Sequence, residues 1–186
     1  HYKHSRRGDT LTDRAAAHVL RGTDAKLLEF EPYGYDERQF CSPGFDLPMG
    51  RLTRSPNSTY AEYHTSADDL SLIRPAQLAK ALQTLARLAS VLDANRTPLN
   101  LSPKGEPRLG KRVLYGSVGG GAPGAFEHAL LWVLNQADGT RDLLAIAERA
   151  RLPFEQVEQA AAALEHAGLL RTLDRPHESE PKGPSP

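Results

Sequence analysis

The 186-residue chain carries 23 Lys plus Arg against 23 Asp plus Glu, so charge selects neither nucleic acid nor an anionic membrane as a partner. Its single cysteine excludes an intrachain disulfide framework and a cysteine-rich zinc module, which suits a reducing, cytoplasmic setting. No apolar run approaches the roughly 18 residues a bilayer span needs, and the opening His1-Tyr2-Lys3-His4-Ser5-Arg6-Arg7 lacks the apolar core of a signal peptide, so a soluble protein without a membrane partner is expected.

The chain starts without methionine and enters a helical pattern almost at once, which reads as the C-terminal part of a longer chain. Asp9 or Thr10 is placed to cap a first helix reaching about Leu20, with Leu11, Ala15 and Val19 on its inner face. Lys26 to Phe30 reads as a short strand. Glu31 to Pro43, rich in Pro, Gly and Tyr, reads as an irregular loop of the kind that carries functional groups between fixed elements. Leu47 to Thr53 reads as a second strand and Ser55 to Ser58 as a turn. A long helix is expected from Pro75, where the missing amide hydrogen costs nothing. Leu78, Leu82, Leu85, Ala89 and Leu92 recur at spacings of four and three, a stripe expected to pack on a sheet or another helix.

Asn95 to Gly124 is rich in Pro, Gly and basic residues and reads as a linker with one short strand at Arg112 to Tyr115. Its Gly119-Gly120-Gly121 follows no clear strand and precedes no Lys-Ser/Thr pair, so a flexible connection is preferred to a phosphate loop. Beyond it, Glu127 to Asn135, Asp142 to Ala150 and Pro153 to Ala167 read as helices, and Leu169 to Leu173 as the first arm of a wing. Three helices and a strand, with a tight turn at Arg151-Leu152-Pro153, describe a winged helix-turn-helix. The tail from Asp174 is too polar and Pro-rich to bury a core. The expected organisation is thus residues 1–96 as part of an α/β domain, 97–124 as linker, 125–173 as the winged helix and 174–186 as tail.

Residues with chemical potential gather between Tyr33 and Asp69. His64 can donate to zinc through a neutral imidazole, although a lone loop histidine is by default a solvated side chain. Asp36 and Glu37 can orient a ligand or a water, or form a solvated acidic turn. Arg38 can clamp a carboxylate or pair locally. Cys41 has no base beside it and reads as structural. Asp68 and Asp69 read equally well as acids at a helix entry.

The segments Tyr35-Asp36-Glu37-Arg38-Gln39-Phe40-Cys41-Ser42-Pro43-Gly44, Leu47-Pro48 and Tyr63-His64-Thr65-Ser66-Ala67-Asp68 resemble a bacterial family of aminopeptidase-like proteins with a C-terminal winged helix. That family is related to the zinc aminopeptidases and glutaminyl cyclases, and the resemblance runs to about Leu173. It implies a zinc-exopeptidase-like mixed α/β sheet flanked by helices, with His64 as a zinc ligand. It further implies catalytic carboxylates at Asp36 and, more weakly, at Glu37, where relatives carry a histidine. Arg38 and Tyr63 would then contact a small peptide or amide substrate. The His-x-Asp motif, bridging Asp and Glu pair of the relatives are missing from this sequence. One histidine falls short of the three protein ligands a catalytic zinc needs, so the chain alone is expected to be inactive. Homo-oligomerisation stays open.

The third helix of the winged unit, Pro153 to Ala167, carries three glutamates and no Lys or Arg. Phosphate contacts supply much of DNA affinity, so nucleic acid is disfavoured and a protein-contact role preferred. The expected function is zinc-dependent hydrolysis of an amide or peptide bond. A non-catalytic binding protein retaining the fold and a winged-helix regulator are the alternatives.

Overall fold

The computed structural model of the chain describes residues 1–112, 114 and 124–173. It forms two compact units, one over His1–Leu92 and one from Asp93 onward.

In the first unit, β1 (Tyr2–Lys3) lies between β2 (Leu27–Leu28), to which it is parallel, and β3 (Arg51–Leu52), to which it is antiparallel. The apolar patterns at 26–30 and 47–53 suggested longer strands. The central strand is only two residues long, so its neighbours have no more backbone to pair with. Two residues show no alternation, and β1 is accordingly invisible to pattern reading.

Helix α1 (Leu11–Leu20) begins at Thr10, whose side chain accepts from the Asp13 amide while the Asp13 carboxylate accepts from the Thr10 amide at 3.1 Å, a reciprocal cap. Ala15, Ala16 and Val19 are buried, and Leu11 is half-buried. Asp13 is itself buried and accepts from Ser5 Oγ at 2.5 Å, Thr10 Oγ1 at 2.6 Å and Tyr2 Oη at 3.0 Å. This one carboxylate therefore ties α1 to β1.

Helix α3 (Pro75–Ala94) starts at the proline as expected. Its leucine stripe is not packed: Leu78, Leu82 and Leu85 are 58%, 69% and 51% exposed. Its less exposed side is mixed, with Gln77, Ala81, Thr84 and Leu88 half-buried and Val91 buried. A cleft of about 650 Å³ separates Thr53 and Arg54 from Gln77, Lys80 and Thr84 of the helix, crossed by a hydrogen bond from Arg54 to the Gln77 carbonyl at 3.3 Å.

The second unit begins with β4 (Thr97–Asn100), within the stretch that composition marks as linker, and β4 pairs antiparallel with β5 (Leu170–Leu173) from Thr97 opposite Leu173 to Asn100 opposite Leu170. The wing strand thus finds its partner upstream of the helices. Between them run α4 (Ala125–Gln136), α5 (Leu143–Ala150) and α6 (Phe154–His166). Asp142 caps α5 by accepting from the Ala145 amide at 2.7 Å, and Arg151, with φ 56°, ends it in the left-handed conformation. Gly139, with φ 83°, makes the turn before α5, where a Cβ would lie 3.1 Å from Leu173. Leu130, Val133, Leu143, Leu144, Ile146, Val157 and Leu164 are all fully buried and form the core.

Leu109–Arg112 is a short 3-10 turn. Residues 113 and 115 of the expected strand, the triple glycine and the tail from Asp174 lie outside the described residues.

Candidate functional site

The stretch expected to be an irregular loop contains a short helix, α2 (Asp36–Phe40). Asp36 and Glu37 occupy its first turn, where acidic side chains complement the exposed amides. Five residues are too few for a helical period to show in the sequence.

Glu37 points inward. It is 2% exposed, and its Oε1 lies 2.6 Å from Lys3 Nζ on β1 and 3.2 Å from Arg51 Nη1 on β3. Its Oε2 accepts from the Tyr35 amide at 3.1 Å. Burial opposes ionisation, but the Lys3 contact, the local backbone amide and the Arg51 charge outweigh it and hold the carboxyl below its usual range. Gly34, with φ 147°, passes so close that any side chain there would collide with the Glu37 carboxylate. Glu37 therefore anchors α2 to two strands, and the free acidic group at this turn is its exposed neighbour Asp36.

Arg38 is exposed on α2. Cys41, 1% exposed, sits with Sγ 3.3 Å from the carbonyl oxygens of both Leu47 and Met49, in keeping with a structural thiol.

His64 lies in the left-handed region, with φ 60°, and its side chain is exposed. Its ring stacks on Tyr63 at 4.1 Å between centroids and 14° between planes. Tyr63 Oη is 2.9 Å from Tyr35 Oη. This hydrogen bond, aided by partial desolvation, pushes the Tyr63 phenol up to about 12. Tyr60 meets Tyr63 edge-on at 5.5 Å and donates to Asp68 Oδ2 at 3.2 Å. Arg51, which pairs with Glu37 on one side, lies 5.8 Å from the Tyr35 ring centroid on the other. The tyrosines thus join the segment carrying His64 to the residue just before Asp36.

Asp69 caps the 3-10 turn Leu70–Leu72 through the Ser71 amide at 2.8 Å rather than entering the helix at Pro75. Among the described residues no three His, Cys, Asp or Glu side chains converge on a point where they could hold a metal ion. His64 is one donor, so the donor set among the described residues does not by itself fit a catalytic zinc.

Four residues of this arrangement were not singled out by sequence reasoning: Lys3, Tyr35, Arg51 and Tyr60. Only the tyrosines left a signal, in their density across residues 33–63. The ion pairs of Glu37 join positions 34 and 14 residues away, which no local spacing encodes.

Residues 1–95 match a family described as Domain of unknown function (DUF4910), and residues 96–172 match the winged helix-turn-helix family. The chain belongs to the DUF4910 family. A Clostridium acetobutylicum protein, named as a candidate polysaccharide biosynthesis protein with aminopeptidase-like domain, is 42% identical to this DUF4910 chain over 175 residues. The match covers 92% of the chain and 40% of that protein. A crystal structure of a candidate peptidase from Clostridium acetobutylicum superposes with a TM-score of 0.81 at 38% identity, over 92% of this chain and 38% of the other. The DUF4910 unit is thus part of a mixed α/β, peptidase-like fold joined to a winged helix-turn-helix, and the chain spans about 40% of the length of its curated relative.

Proposed function

We propose that the DUF4910 unit contributes the His64 side of a zinc-dependent, aminopeptidase-like hydrolase site acting on the amide or peptide bond of a small cytoplasmic substrate. The observation that carries this reading is His64 itself, an exposed imidazole on a left-handed backbone, stacked on a tyrosine that is hydrogen-bonded to Tyr35, the residue before Asp36. Non-glycine residues in that backbone region cost free energy and concentrate at functional sites.

In this reading His64 offers a neutral ring nitrogen as one metal donor, and Tyr63 fixes the plane of the ring. Asp36, free of the ion pairs that engage Glu37, orients a substrate amine or a water by accepting its hydrogen bond. Arg38 and Tyr63 line the approach as donors to a substrate carboxylate or carbonyl. Zinc, when bound, supplies Lewis-acid activation of water at neutral pH. The donors that complete its set belong to the part of the fold this chain does not span.

The test is hydrolysis of aminoacyl p-nitroanilides by the complete gene product. Activity should be lost on chelation, restored by zinc and abolished in His64→Ala. Hydrolysis indifferent to both treatments would refute the assignment. A non-catalytic binding protein retaining the fold is the second reading, favoured by the lack of a converging donor set among the described residues. A DNA-linked regulator is disfavoured, because α6 carries Glu155, Glu158 and Glu165 with no Lys or Arg.

A further inference from the structure

Over its first three turns, helix α3 leaves an apolar stripe exposed. Leu78, Leu82 and Leu85 share one face by their spacing, and that face is more than half exposed throughout. The cleft beside Thr53 and Arg54 is bordered on the helix by Gln77, Lys80, Ala81, Thr84 and Leu85, so Leu85 sits at its edge while Leu78 and Leu82 lie outside it. The apolar surface continues upstream, where Leu70, Leu72 and Ile73 are 86%, 38% and 52% exposed. Six large aliphatic side chains are thus exposed within 16 residues of chain, a density that favours an interaction surface over isolated surface leucines.

We propose that this face, Leu70 to Leu85, is the seam that receives the remainder of the aminopeptidase-like domain, the portion equivalent to the 60% of the Clostridium relative that lies outside the matched span. The overlay on a solved chain more than twice as long shows that this unit keeps its fold as one part of a larger body. A sheet of three two-residue strands is far below the size that stands alone in water, and a larger apolar sheet supplies what both it and α3 lack. A second copy of this chain would cover the leucines but would add no backbone to those strands.

The test compares the 186-residue chain alone with the same chain co-expressed with the unmatched segment of the Clostridium protein, using light scattering and hydrogen exchange. Alone, the chain should be monomeric, with α3 amides exchanging faster than those of α5. The co-expressed pair should form a one-to-one complex in which α3 exchange slows by at least about tenfold while α5 is unchanged. Leu78→Asp with Leu82→Asp should abolish that protection and leave α5, the internal reference for folding, as before. A dimer of the chain alone with α3 protected would assign the face to a second copy and overturn the proposal. Unchanged α3 exchange in the co-expression would overturn it as well.

Discussion

The two units of this chain are held together by different means. From Asp93 onward, each helix turns its apolar side inward, and the interior of Leu130, Val133, Ile146, Val157 and Leu164 is closed to solvent. In His1–Leu92 the buried positions include Lys3, Ser5, Asp13 and Glu37, and the longest helix leaves Leu78, Leu82 and Leu85 exposed. The first unit is therefore organised by a few polar contacts between distant residues, Tyr2 and Ser5 with Asp13, and Lys3 and Arg51 with Glu37. The second is organised by packing. Polar contacts fix geometry strongly but contribute little net stability, so the first unit is well specified without being self-sufficient.

The largest expected effect is in the polar network. Glu37→Ala leaves the buried Lys3 and the half-buried Arg51 without their carboxylate and should cost about 3–5 kcal/mol, read as faster exchange of residues 1–52 in denaturant-dependent hydrogen exchange. If the loss is under about 1 kcal/mol, solvent already reaches this network and the contrast with the second unit weakens. Leu164→Ala empties a closed position of the second core and should cost about 2–5 kcal/mol in a urea titration.

Acid should distinguish the units next. Burial opposes ionisation of Asp13, but hydrogen bonds from Ser5, Thr10 and Tyr2 keep its folded value below the usual carboxylate range, as the cations do for Glu37. Groups depressed on folding add stability that is fully present above their unfolded values of about 4 and is lost as pH falls through the folded values. In the second unit, burial likewise opposes ionisation of Glu165, and the pairing with Arg96 lowers it. Unfolding followed between pH 7 and pH 2 should therefore show the first unit, with two buried carboxylates, losing more stability than the second. Equal losses would break that distinction. The smallest effect should come from Leu82→Ala, which removes an exposed side chain and should change the stability of this chain by no more than about 0.5 kcal/mol.

Legibility in the sequence follows the same division. The helices of the second unit were readable to within one or two residues, because caps such as Asp142, the Arg151-Leu152-Pro153 turn and the apolar periods are local. The partner of its wing strand was not, since β4 lies within the Pro/Gly-rich stretch that composition assigns to a linker. In the first unit, Thr10 and Pro75 announced α1 and α3. The two-residue strands and α2 were too short to leave a period, and the outward turn of the leucines cannot be read from a helical stripe that only says one face is apolar. At the candidate site, Asp36, Arg38, Tyr63 and His64 were chosen by residue type and family resemblance. The burial of Glu37 among Lys3 and Arg51 depends on contacts across the fold and was legible nowhere in the local sequence.

Zinc content of the complete gene product, measured by elemental analysis with and without His64→Ala, tests the central claim most directly. Stoichiometric zinc is expected in the wild type and one metal fewer per molecule in the variant, with α5 exchange unchanged. Equal metal content in both proteins, or none in either, would contradict His64 as a ligand and move the DUF4910 unit to a binding role.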